Sequence, residues 1–285
     1  MEFKSAKELL SLCKEHDMPI SAVMRTRECV LGETDEKSVD ARMARAWDIM
    51  RTSAQEPLTT SLRSMGGLIG GESRKLNEHC AASRSILGPV LARATAYAMA
   101  VLEVNASMGL IVAAPTAGSA GVVPGVLLAL QEERGFSDET MIRSLFNAGA
   151  VGYLAMRNAT VAGAVGGCQA EVGVAAAMAA SAAVELLDGT PEQCLDAATT
   201  VLMNMLGLVC DPVGGLVEYP CQNRNAAGAA NALVAAELAL SGVRQHIPFD
   251  KMLETMYAVG RRMPAELRET ALGGCASCGV CTIPS

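Results

Sequence analysis

At 285 residues, with 51% hydrophobic but only 3% aromatic side chains, the chain is long enough to bury about three quarters of its unfolded surface as one large domain. A net charge of −7, a pI near 5.1 and the lack of any Lys/Arg run argue against a nucleic-acid or anionic-membrane surface, leaving small molecules and proteins as partners. Residues 1–20 carry no apolar leader, and the longest apolar stretches are broken by Glu171, Glu185 or glycines before the roughly 20 residues that span a bilayer.

The expected location is therefore the cytosol, where ten cysteines serve as reduced thiols and metal ligands more readily than as disulfides. With few aromatics, the core has to be filled by Ala, Leu, Val and 16 Met, with 27 Gly permitting close backbone approach, which favours tightly packed helices.

Ser5-Ala6-Lys7-Glu8 has the form of a capping box ahead of Leu9, Leu10 and Leu12, and Pro19 closes that helix. A second helix ends at Gly32. From Asp35 to about Ala54, Val39, Met43, Ala46 and Met50 recur at helical spacing. These first 56 residues read as amphipathic packing without chemistry, and His16 as a solvated surface residue.

Two Gly-Gly pairs within Ser64-Met65-Gly66-Gly67-Leu68-Ile69-Gly70-Gly71 cost backbone entropy and need a reason. Either two helices cross closely, or backbone N–H groups are laid open to an anion. Gly88-Pro89 opens a helix running to about Ser107.

Pro115-Thr116-Ala117-Gly118-Ser119-Ala120-Gly121 then feeds a helix that holds Pro124 in its first turn and ends at Gly135. Such a loop points hydroxyls and orphan N–H groups one way, which suits a carboxylate, although plain capping by Thr116 or Ser119 is the simpler alternative. No Gly-Lys-Ser/Thr follows, so it is not a Walker loop.

Ser137-Asp138-Glu139 starts the next helix. Arg157-Asn158-Ala159-Thr160 is a polar island in a Gly/Ala-rich stretch that either fastens a helix crossing or faces a wet site, and its place ahead of Gly166-Gly167-Cys168-Gln169-Ala170-Glu171 favours the second. Ala170 to Leu187 reads as a buried helix, and Thr190-Pro191-Glu192-Gln193 is the clearest helix start in the chain.

Met203 to Asn225, interrupted by prolines and glycines, reads as a loop buried among helices, with Cys210 and Cys221 in it and an Ala-rich helix from Ala226 to Leu240 after it. Asp250 to Arg262 makes another helix, and residues 273–285 form a flexible Cys-rich tail with Cys275, Cys278 and Cys281. No period-2 alternation recurs. The expected fold is all-α, a single helical domain over residues 1–285 with glycine-rich loops around a buried site.

Three cysteines beside glycine, proline or amide residues suit an iron-sulfur site, because thiolates hold clusters and tight turns let backbone N–H groups reach the sulfides; three buried thiols acting as small hydrophobes are equally compatible with the spacing. What separates these is a resemblance. Cys168 in Gly-Gly-Cys-Gln-Ala-Glu, with Cys210 and Cys221 in Cys-Asp-Pro-Val and Cys-Gln-Asn-Arg-Asn, resembles the alpha chain of the iron-sulfur-dependent bacterial L-serine dehydratases, and the likeness runs from about Ser61 to about Gly274.

That resemblance implies a [4Fe-4S] cluster held by Cys168, Cys210 and Cys221, whose open iron acts as a Lewis acid on the hydroxyl of L-serine, giving pyruvate and ammonia. It makes Ser64 part of a pocket wall, Thr116, Gly118 and Ser119 the carboxylate site, and Asn158 and Asn223 pocket-lining residues. It also places the general base on a beta chain, since His16, His79 and His246 sit in contexts unsuited to the task, and so implies an alpha-beta complex.

In some members a C-terminal cysteine occupies the open iron, a role for which Cys281 is the candidate; the alternatives for the tail are cluster loading and a second cluster. Elimination on L-cysteine or L-threonine uses the same parts, and a non-enzymatic cluster carrier is the rival from another class. A pyridoxal route is disfavoured because Lys37, Lys75 and Lys251 lie in polar surroundings outside the glycine/serine loops.

Overall fold

The computed structural model describes residues 1–279, so Cys281 lies outside the described residues. Within them the chain is all-α: twelve α-helices and no named strand, with one isolated bridge between Cys210 and Arg268. Helices α1 (Ala6–His16), α2 (Ile20–Leu31) and α3 (Glu36–Gln55) form the N-terminal layer, and α2 and α3 lie against α7 (Asp138–Asn158). Their starts follow the local signals: Ser5 accepts from the Glu8 amide, and Asp35 from the Ser38 amide at 2.8 Å.

The centre is α9 (Val174–Leu186), packed by α6 (Val122–Arg134), α7, α10 (Pro191–Asn204) and α11 (Cys221–Leu240). Every residue from Val172 to Val184 is buried, and most are alanine, so neighbouring helices close in on all sides; a helix apolar all round belongs in the core. The α5 (Pro89–Ala106) and α6 pair is closer still. A Cβ on Gly121 would lie 2.1 Å from the Ala98 carbonyl oxygen, so no side chain fits there.

The structure differs from expectation at three places. Residues 72–81 form α4 (Glu72–Ala81), which has a mostly polar surface and buries only Ser73, so no apolar stripe announces it. The buried helix after Cys168 opens with a π-helical turn, Gln169–Gly173, before α9, a widening common at functional sites. The third is α11, which starts at Cys221 and not at Ala226, because Gln222, Arg224 and Asn225 bond other segments instead of water. The short α8 (Gly163–Gly166) and α12 (Phe249–Arg262) pack together against the π turn. No helix among the described residues is long and apolar enough to cross a membrane.

Candidate active site

Three segments far apart in the chain bring their thiols within electrostatic reach of one another. Cys168 precedes the π turn, Cys210 lies in the loop after α10, and Cys221 is the first residue of α11; all three are buried. A thiol at a helix N-terminus ordinarily ionises more readily, yet burial outweighs that effect here. Desolvation, reinforced by Cys168 and Glu171 and opposed by Arg224, pushes Cys221 up to about 12. Cys168 is likewise held up at about 12 by burial and then by Glu171. Cys210 is pushed up by burial, then by Glu171, Cys168, Glu269 and Cys221, so a thiolate on one member opposes thiolates on the others.

Carboxylates and a guanidinium frame the thiols. The Cys210 thiol donates to Glu171 Oε2 at 3.5 Å, and one ligand atom each from Glu171, Cys210 and Glu269 lie within 4.8 Å of one another. A Cβ on Gly163 would fall 2.4 Å from Glu171 Oε2 and 3.0 Å from Cys210 Sγ, so the glycine keeps that space clear. Burial, and then Glu269, raise the Glu171 carboxyl above the usual range. Arg224 bonds Cys168, pairs with Asp211 at 2.6 Å and donates to the Val209 carbonyl at 2.9 Å.

The loop that carries Cys210 is zipped to residues 267–275. Cys210 N–H donates to the Leu267 carbonyl at 2.9 Å, Glu269 N–H to the Cys210 carbonyl at 2.6 Å, and Cys275 N–H to Asp211 Oδ2 at 2.6 Å. Cys275 and Cys278 thus sit at the base of the tail beside the loop that carries Cys210.

Glu171 also joins this group to the loop of residues 115–121. Thr116 Oγ1 donates to Glu171 Oε1 at 3.0 Å and meets Ser119 Oγ at 3.0 Å. Thr116 is part-exposed, whereas Ser119 is wholly buried, so Ser119 orients Thr116 more directly than it meets a ligand. Asn225 Nδ2 donates to the Gly118 carbonyl at 2.8 Å and Asn225 Oδ1 accepts from Gly121 N–H at 3.1 Å, pinning the loop to α11.

Ser64 lies in a second loop, bonded to Glu218. The buried Glu218 carboxylate accepts from Ser64 Oγ at 2.7 Å, Gly66 N–H at 2.6 Å and Leu68 N–H at 2.9 Å. The open N–H groups of the glycine-rich segment are thus satisfied by an internal anion three residues ahead of Cys221. The two asparagines are placed elsewhere. Asn223 is exposed on the first turn of α11, and the exposed Asn158 donates to the Lys4 carbonyl at 2.8 Å, fastening the N-terminal segment. His16, His79 and His246 are all exposed.

Residues 15–276 match the family described as serine dehydratase alpha chain. This chain belongs to that family. It is 47% identical over 275 residues to the probable L-serine dehydratase, alpha chain, of Bacillus subtilis (strain 168), covering 96% of this chain and 91% of that one. To the L-serine dehydratase, alpha chain, of Peptoniphilus asaccharolyticus it is 44% identical over 272 residues, covering 95% and 93%. Against L-serine dehydratase TdcG of Escherichia coli (strain K12), 37% identity over 286 residues spans 98% of this chain but 63% of that one. The serine dehydratase alpha chain thus recurs both as a chain of this length and as part of a longer one.

Proposed function

We propose that this chain is the cluster-holding subunit of a cytosolic L-serine dehydratase, acting with a beta chain to release pyruvate and ammonia from L-serine. The observation that carries this reading is that three buried thiols from three segments lie within electrostatic reach of one another, with Glu171 joining Cys210 to a hydroxyl-bearing loop. Its membership of the serine dehydratase alpha chain family supports the substrate and the reaction.

The thiols fit an iron-sulfur cluster by their chemistry. Each is held neutral by burial, Cys168 also by Glu171 and Cys210 and Cys221 also by Glu171 and their fellow thiols, and the positive charge of Arg224 offsets only part of what three thiolates demand. A metal centre held here would supply the missing positive charge, and its binding would be coupled to loss of the thiol protons and to the order of residues 205–221. Cys168, Cys210 and Cys221 would hold a [4Fe-4S] cluster, which supplies a Lewis acid for the substrate hydroxyl through an iron not bound by thiolate.

The rest is the work of the chain's own residues. Thr116, turned by Glu171 and backed by Ser119, presents its hydroxyl oxygen at the loop surface, and the backbone about Gly118, fixed by Asn225, offers the geometry for the substrate carboxylate. Ser64 and Glu218 hold the wall behind. The base that takes the α-proton comes from the beta chain, because the three histidines here are exposed and sit in contexts unsuited to the task.

The test is iron and sulfide content, visible absorbance and turnover of the wild-type chain and of Cys210→Ala, each with and without the beta chain, on L-serine, L-threonine and L-cysteine. Expected are about four irons per wild-type chain, loss of the chromophore in the variant, and L-serine turnover only with the beta chain. An intact chromophore in Cys210→Ala refutes the ligand set, and brisk turnover by the chain alone refutes the divided base.

A further inference from the structure

We infer that the beta chain docks on the face formed by Met65, Met108 and Leu110, setting an apolar side chain into the groove beside them. This rests on the reading that the chain works with such a partner, and it names the surface that partner uses.

Three large apolar side chains stand together in solvent: Met65 is 69% exposed, Met108 76% and Leu110 69%. They are neighbours because Met65 N–H donates to the Ala106 carbonyl at 2.9 Å, which lays the glycine-rich loop along the end of α5. Met108 sits in the left-handed region, φ 62, a position where a bulky side chain is costly and Gly or Asn is the usual choice. The chain therefore tolerates backbone cost to present an apolar thioether to water. Such a side chain suits an adaptable protein contact, and exposed apolar groups gathered in one place mark interaction surfaces.

Next to the trio is a groove of about 380 Å³ whose apolar wall is Ile49, Leu62, Val104 and Leu110, rimmed by Asp48 and Glu56. An apolar floor with a charged rim is the composition of a protein interface.

Two observations select the beta chain as occupant. The chain spans 63% of the TdcG relative, so about a third of that polypeptide has no counterpart here and is joined in one molecule to the part that matches. The patch is also continuous along the chain with both loops of the candidate site. Ser64 and Gly66 are bonded to Glu218, ahead of Cys221, and a Cβ on Gly66 would lie 2.6 Å from the Leu216 side chain. On the other side, Leu110 leads through Ile111 to Ala114 straight into Pro115 and Thr116. A partner seated here covers both loops and brings its own groups toward the hydroxyl of Thr116.

The experiment is the dissociation constant of the holo-chain for the beta chain of the same organism's L-serine dehydratase, purified separately, with Met108→Asp and Leu110→Asp as variants. Both positions are exposed and outside the site, and Asp accepts the backbone at 108 better than Met does. Each variant should keep its iron content and melting temperature and bind at least tenfold more weakly. Hydrogen exchange of the wild-type complex should show new protection over residues 64–68 and 106–114. Binding within twofold of wild type, without that protection, overturns the surface and leaves the function standing. No association of the wild-type chains removes the partner, and this surface with it. If Leu110→Asp instead splits a dimer of this chain and leaves the beta chain bound, the face belongs to a second copy and the inference fails.

Discussion

The carboxylate of Glu218 is the test of whether the two glycine-bearing loops act as one body. It is 2% exposed and accepts three hydrogen bonds, from Ser64 Oγ, Gly66 N–H and Leu68 N–H. Glu218→Gln changes almost no volume but replaces one acceptor oxygen by an NH2 group. The amide oxygen best takes the Oε2 place, where it serves Ser64 and Leu68, and the NH2 then faces Gly66 N–H, donor against donor. The loss is one charge-assisted bond, about 1.5–3 kcal/mol, and a buried N–H left unsatisfied, about 1–3 kcal/mol, so about 2.5–6 kcal/mol together. At about 2–3 °C per kcal/mol for a chain of this size, the cluster-free protein should melt roughly 5–18 °C lower. Thermal unfolding measures this, and a double-mutant cycle with Ser64→Ala apportions it: in the Glu218→Gln background the serine substitution should cost at least about 0.5 kcal/mol less than in wild type. A melting temperature within about 2 °C of wild type, or strict additivity, refutes the account of Glu218 as the anion that organises the loop. Because Glu218 stands three residues before Cys221, the same variant should lose iron faster to a chelator.

Ser119→Ala removes the hydroxyl that backs Thr116, so in the complex with the beta chain the Michaelis constant for L-serine should rise several-fold with a smaller fall in turnover; an unchanged constant takes Ser119 out of the site. For the cluster-free chain, Cys168 and Cys221 are pushed from 9.0 to about 12, so the folded state favours the neutral thiols. The stability they contribute is fully present below pH 9 and is lost as pH rises toward 12. Iron loading, which must expel those protons, should conversely become more favourable as pH rises from 7 to 9. Isotope-coded alkylation followed by mass spectrometry reads the thiols directly, and full labelling of Cys221 in the folded apo-chain at pH 8 contradicts the shift.

What the sequence made legible was local. The Thr190 to Gln193 box forms both of its bonds, and the starts at Ser137 and Pro89 stand where capping and proline chemistry put them. Signals of that kind depend on residues within one turn of one another, and the chain around them cannot override so many satisfied donors.

The site was legible only in its loops, because its remaining groups are matched across long separations. Glu171 reads in the sequence as a charge that breaks an apolar run, yet it is the group that joins Thr116 to Cys210. Asn158 reads as a polar residue facing a site, and its partner is Lys4. That Asn225 also belongs to this region was hidden by one boundary. With the helix placed to begin at Ala226 both asparagines are loop residues and neither face is defined. Once α11 begins at Cys221, Asn225 is four residues on, one turn along the same face as the thiol, whereas Asn223 points away. Cys-Gln-Asn-Arg-Asn resembles a loop because helix interiors seldom carry such a run. Here each inward member has a buried counterpart: Gln222 donates to Glu103 at 2.9 Å, Arg224 pairs with Asp211, and Asn225 holds Gly118. The first turn of α11 is thus polar because it faces a polar site, and the same polarity that hides the helix from a periodicity argument marks where the chemistry lies.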